Sequence, residues 1–159
     1  MVNAIVRLEA ADLAWLRSTG PDGTAWLVDH PGAFELEEAL SGVHFLLTGT
    51  EREGEGPLGF LANPSFGESV PHGASLPSGR IIEPAAVSAI ADAIESLSVR
   101  DVRPRLMGAA LAALPPFAGR PLTEDDQEWL LAVLQGVMTF VRRAATDGVS
   151  LLVTTAPGP

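Results

Sequence analysis

The chain has 159 residues and a net charge of −10, from 20 acidic residues against ten arginines and no lysine. With 47% hydrophobic and 19% charged residues it can build the core of one globular domain, and it lacks the composition of a disordered segment. The absence of cysteine excludes disulfides, thiolate catalysis and cysteine-held metals, and the absence of lysine excludes Schiff-base chemistry and a P-loop.

In chain order, residues 2–8 are rich in β-branched side chains and predict a first strand. Residues 9–18 predict a short helix, with Glu9 and Asp12 early, where the positive end of the helix dipole favours carboxylates. Gly20-Pro21-Asp22-Gly23 predicts a turn, and residues 24–30 carry no readable period. A helix is predicted over 34–47. Leu36, Leu40, Val43 and Leu47 share one stripe while Phe34 and Phe45 fall opposite, so this helix should be covered on two faces and lie near the centre of the fold. Gly49 supplies the left-handed residue that ends it.

Residues 49–82 are the least regular stretch of the chain, holding eleven of its 29 glycines and prolines. A loop of that length is uncommon unless it binds something. Residues 58–61 predict a short strand and residues 79–82 another, with Phe60, Leu61, Phe66, Ile81 and Ile82 as anchors onto the core. Pro84 opens a helix whose Val87, Ile90, Ala91, Ile94 and Leu97 form one apolar face. Residues 101–114 predict one or two shorter helices interrupted at Pro104. Thr123, followed by Glu124, Asp125 and Asp126, predicts the start of a long helix reaching about Thr146, with Leu130, Leu134, Val137, Val141 and Ala145 as its inner seam. Asp147-Gly148 then turns the chain into a last strand over 149–155. The pattern predicts the α+β class. A single compact domain over residues 1–156, with a tail at 157–159, should pack a small mixed sheet, holding the N- and C-terminal strands, against several helices.

Three histidines, His30, His44 and His72, show no metal-ligand spacing, and neither a metal nor a cofactor is expected. His44 lies at the flank of the apolar stripe, where a ring packed on leucines with one nitrogen bonded to a carbonyl or carboxylate is the expected role. A general base facing the 49–82 region is the functional alternative. Arg80, in an uncharged, glycine-flanked stretch, should fork onto Glu68, Glu83 or an anionic ligand. His72 sits in a Pro-His-Gly turn, and Phe60 beside it in the same region completes the set of binding candidates. No Gly-x-Ser-x-Gly, phosphate-cradling loop or Rossmann fingerprint occurs.

Scattered arginines on an acidic chain argue against nucleic acid and anionic membranes as partners. With no signal peptide and no spanning run, a cytoplasmic address is expected. The leading expectation is a non-enzymatic binding module, immunity- or inhibitor-like, that meets a basic protein partner, or a small ligand, through the 49–82 region. The alternative is a small hydrolase-like enzyme with His44 and Arg80 in one cleft.

Four blocks, in order, resemble the bacterial YfbM-like family, whose function is unknown: Val43-His44-Phe45-Leu46-Leu47-Thr48-Gly49, Pro57-Leu58-Gly59-Phe60, the run from Gly79 through Val87, and Phe140-Val141-Arg142-Arg143-Ala144-Ala145 with Gly148. Leu40 stands where the family pattern has tryptophan, and tyrosines are missing near Arg80 and Phe140. The resemblance covers essentially the whole chain. It implies a compact α+β fold in the cytoplasm and supplies no activity or substrate.

Overall fold

A computed structural model describes residues 2–18, 30–52, 54–70 and 78–156. Five strands, β1 (Val2–Leu8), β2 (Ala33–Glu35), β3 (Glu68–Ser69), β4 (Ser78–Ile82) and β5 (Ser150–Ala156), form one sheet in the order β2-β1-β5-β4-β3. Every pairing is antiparallel, so the sheet is not the mixed one expected. The terminal strands lie side by side at its middle, from Val2 opposite Ala156 to Leu8 opposite Ser150. Among the described residues six helices accompany it: α1 (Ala10–Ser18), α2 (Leu40–Thr48), α3 (Pro84–Ser96), α4 (Val99–Met107), α5 (Ala109–Ala112) and α6 (Glu124–Asp147). The α+β class is as predicted.

Side chains alternate across a strand, so a strand with continuous apolar sequence must be covered twice. Ile5, Ile82, Leu151 and Val153 face the larger core, with α2, α3 and α6. Ala4, Val6, Leu8, Ile81 and Leu152 face the other way, where Leu16 of α1 closes a smaller core. The adjacent pairs Ile81–Ile82 and Leu151–Leu152 are thus split between two cores. The outer strands are very short, three residues for β2 and two for β3.

The predicted 34–47 helix begins later than its periodicity suggested. Ala33–Glu35 is strand β2, which pairs with Ala4–Val6 of β1, and a 3-10 turn over Glu37–Ala39 leads into α2. Phe34 is therefore a strand residue, and the two-faced argument that used it falls. The central position of the helix stands on other residues: Gly42 through Leu47 are all buried. Gly49, with φ of 76°, ends α2 by donating its N–H to the Phe45 carbonyl at 2.8 Å. The expected strand at 58–61 is instead a 3-10 turn over Pro57–Gly59 followed by further turns. The expected break at Pro104 does not occur: α4 starts from a Ser98–Asp101 capping box and runs through Pro104 to Met107. Its proline withholds a helical donor from the Arg100 carbonyl, and both residues are exposed to solvent, so no buried carbonyl is orphaned there. α6 has the predicted start, with the Thr123 hydroxyl accepting from the Asp126 N–H and the Asp126 carboxylate accepting from the Thr123 N–H at 2.8 Å. Its buried seam ends on Ala144 rather than Ala145.

Candidate functional site

His44 is fully enclosed, at 0% exposure. Its Nε2 lies 3.5 Å from the Thr48 hydroxyl, one turn along α2. That hydroxyl donates to the His44 carbonyl at 2.9 Å and accepts from the Thr50 N–H at 3.1 Å, so it ties the imidazole to the helix end. Phe60 is equally enclosed and belongs to the larger core.

Arg80 reaches neither Glu68 nor Glu83. On β4, its guanidinium donates to three backbone carbonyls: Phe60 at 2.8 Å, Leu61 at 3.1 Å, and Phe66. Burial lowers its pKa from the ordinary value, yet a guanidinium starts so high that it stays charged. The carboxylates once matched to it belong to Arg17, which lies 3.4 Å from Glu68 and 3.5 Å from Glu83. Arg80 therefore pins the turns of residues 60–66 to the sheet, doing for that irregular stretch what ladder hydrogen bonds do for a strand. Arg105 plays a similar part at the end of α2, donating to the Leu46 and Leu47 carbonyls at 2.9 Å each, where the helix dipole is negative. His72 lies outside the described residues. The structure thus commits His44, Phe60 and Arg80 to packing and backbone hydrogen bonding, and none of them borders the grooves described below.

One pairing was missed in the sequence. His30 Nδ1 accepts from the Gly32 N–H at 3.0 Å, which places the neutral ring's proton on Nε2, facing Asp12 at 3.4 Å. Both ring nitrogens are occupied, so the pair fastens the 30–32 segment to α1 and offers no base to a nucleophile. Its residues are 18 apart on a helix and a loop, a spacing that no local motif marks. Among the described residues, no group of three or more His, Asp or Glu is placed to hold a metal ion.

The concave surface lies elsewhere. Between α4 and α6 runs an apolar groove of about 460 Å³, floored by Leu106 and Leu134 and walled by Val99, Met107, Leu131 and Met138. Val99 is 76% exposed and Met107 67%. The outer side of α4 carries a shallower depression of about 400 Å³ bordered by Val99, Arg100, Arg103 and Met107. A hollow of about 420 Å³ at the end of α2 is ringed by Thr48, Thr50, Glu55, Asp101 and Arg105. The roomiest of these four, about 580 Å³, lies between β2 and α6.

The arginines sort these surfaces. Arg7, Arg17, Arg120 and Arg142 each meet a carboxylate, Arg52 sits 4.0 Å from Glu51, and Arg80 and Arg105 hold carbonyls. Among the described residues Arg100, Arg103 and Arg143 make no hydrogen bond or ion pair. In a chain with twice as many acids as arginines, the unmatched cations all stand beside a groove.

Fold and grooves together define a small α+β domain with a five-stranded antiparallel sheet and open concavities. The chain belongs to the family described as a domain of unknown function, DUF1877, whose model matches residues 17–154. Its structure is similar to the crystal structure of YfbM, a protein of unknown function from Escherichia coli, at 18% identity, with a TM-score of 0.69 and coverage of 98% of this chain and 100% of that one. No curated protein matches it. The resemblance to the YfbM-like family therefore holds, and at this identity the structural likeness carries the fold alone. No helix among the described residues is long and apolar enough to cross a membrane.

Proposed function

We propose that this domain is a non-enzymatic binding module that receives a protein segment in the groove between α4 and α6. The observation that carries the reading is the α4 stripe Val99, Arg103, Met107. At spacings of four it puts two exposed apolar side chains and an unpaired guanidinium on one line beside Leu131 and Met138. Methionines that line a groove adapt to varied apolar side chains, and an amphipathic helix is the common occupant of such a groove. Arg103 at its edge, with Arg100 on the adjoining depression, selects for carboxylates, so the entering segment is apolar on one face and acidic beside it. The overall charge of −10 opposes an acidic partner at long range, but that repulsion is screened beyond roughly 8 Å in physiological salt, whereas contact with Arg103 is not.

A second reading keeps the basic partner expected from the net charge. Glu55 and Asp101 at the hollow beside α2, with exposed Glu51 close by in sequence, would receive it. The two readings differ in the sign of the segment that binds. A fluorescent amphipathic peptide of roughly 16 residues, built from Leu and Glu, is titrated against the protein beside its Leu/Lys counterpart, with Met107→Glu and Arg103→Glu variants. Micromolar binding of the Leu/Glu peptide, lost in both variants, is the expected result. Preference for the Leu/Lys peptide, insensitive to Met107→Glu, transfers the function to the acidic hollow. A dimer in analytical ultracentrifugation that Met107→Glu dissolves assigns the groove to a second copy instead. The hydrolase-like alternative needs His44 and Arg80 open to one cleft, whereas His44 is enclosed and Arg80 is bonded to backbone carbonyls.

A further inference from the structure

The groove between β2 and α6 has a different chemistry from the one above and stands independently of it. Its floor is aromatic. Phe34 of β2 and Phe140 of α6 approach with ring centroids 5.7 Å apart at 50°. Phe34 reaches this position because residue 136 has no side chain: a Cβ there would lie 2.7 Å from the Phe34 ring. Along the rim, Gln135, Thr139 and Arg143 follow one another at spacings of four on α6, all exposed.

The opposite rim is Arg7 of β1. It is fixed by Asp147 at 2.8 Å and by Glu9 at 3.5 Å. Asp147 is the residue four positions beyond Arg143, the ordinary helical partner for it, and it is engaged by Arg7 instead. Arg143 is left without a carboxylate among the described residues. The charge of Arg7 is already matched, so Arg143 supplies the unmatched positive charge of this groove.

We infer that the β2–α6 groove binds a small planar anion, an aromatic ring bearing a carboxylate or a phosphate. The ring lies over Phe34 and Phe140, where offset or edge contacts with aromatic faces are favourable. The anion meets Arg143 in the forked geometry that guanidinium offers to both oxyanions, with the free N–H groups of Arg7 across from it. Gln135 and Thr139 offer donors and acceptors to ring heteroatoms. The volume of about 580 Å³ lies within the usual range for small-ligand sites.

Isothermal titration tests this with four probes: 1-naphthoate, adenosine 5′-monophosphate, 2-naphthalenemethanol and inorganic phosphate. The variants are Arg143→Gln and Thr139→Trp, both exposed substitutions, with circular dichroism to confirm folding. The expected result is binding of at least one aromatic anion with Kd below about 1 mM. It should weaken at least about tenfold in Arg143→Gln and vanish when Thr139→Trp fills the groove, with the neutral alcohol and inorganic phosphate at least about tenfold weaker. The tighter of naphthoate and the monophosphate tells whether carboxylate or phosphate is preferred. Absence of binding by both aromatic anions, undiminished binding by a folded Arg143→Gln protein, or equal binding of inorganic phosphate would each overturn the inference.

Discussion

The segment carrying Arg80 and the exposed helix surfaces carrying Arg100, Arg103 and Arg143 use one residue type in opposite ways. In the first, the guanidinium is spent on backbone carbonyls, Arg80 holding the turns of residues 60–66, as Arg105 does from α4 for the end of α2. On the second, three guanidiniums project beside grooves with no partner among the described residues. An arginine in an irregular, glycine-rich stretch is therefore no better a ligand candidate than one on a regular helix. Backbone without a ladder has carbonyls to satisfy, and an arginine is the longest side chain able to satisfy several at once.

That contrast can be broken by substitution. The largest effect is expected for Arg80→Met, which leaves three carbonyls unserved and should cost about 3 kcal/mol in urea unfolding. A loss under about 1 kcal/mol would mean that the turns hold themselves. His44→Ala removes an enclosed ring and its tie to Thr48, and a loss of about 2 kcal/mol is expected from the same measurement. Arg105→Met frees two carbonyls at a helix end that solvent partly reaches. About 1 kcal/mol is expected, together with faster amide exchange around Thr48 and Gly49.

A smaller effect depends on pH. The side-chain hydrogen bond from Arg120, then the Thr123 N–H, hold the Asp126 carboxyl well below its ordinary 3.8. Its folded value is depressed, so its contribution is complete above the unfolded value and is lost as pH falls through the folded one. The melting difference between the native protein and Asp126→Asn should stay constant from about pH 7 to about pH 5 and shrink below about pH 4. A difference that persists unchanged into strong acid would show that Asp126 acts without its charge. The smallest effects belong to the other side of the contrast: Arg100→Gln, Arg103→Gln and Arg143→Gln should each change stability by less than about 0.5 kcal/mol. A larger loss in any of them would mean that it holds structure and leave its groove without a free cation.

The sequence carried α6 and both terminal strands plainly, because their signals are local. Thr123 and Asp126 are three residues apart, the seam recurs at 3.6, and Gly148 ends the helix. It misled at 34–36 because the pairing that makes Phe34 a strand residue is with Ile5, far back in the chain, and the space for its ring is a glycine far ahead at 136. Residues 58–61 imitate a strand in composition, but their carbonyls are served by Arg80, 19 and 20 positions on for Leu61 and Phe60. Carboxylates stand out in a sequence as partners for Arg80, whereas carbonyls, which every residue carries, do not. The grooves were illegible for a similar reason. The two beside α6 are each made by residues of that helix and another element, and Arg143 is free only because Asp147 turns to Arg7 on β1.

The brevity of β2 and β3 has its own consequence. Strands β1, β5 and β4, rich in Ile, Val and Leu, would be efficient templates for cross-chain stacking if one of them formed the border of the sheet. They are screened by fringes too short to offer an incoming chain more than a bond or two, which withholds the long open backbone edge that such stacking starts from.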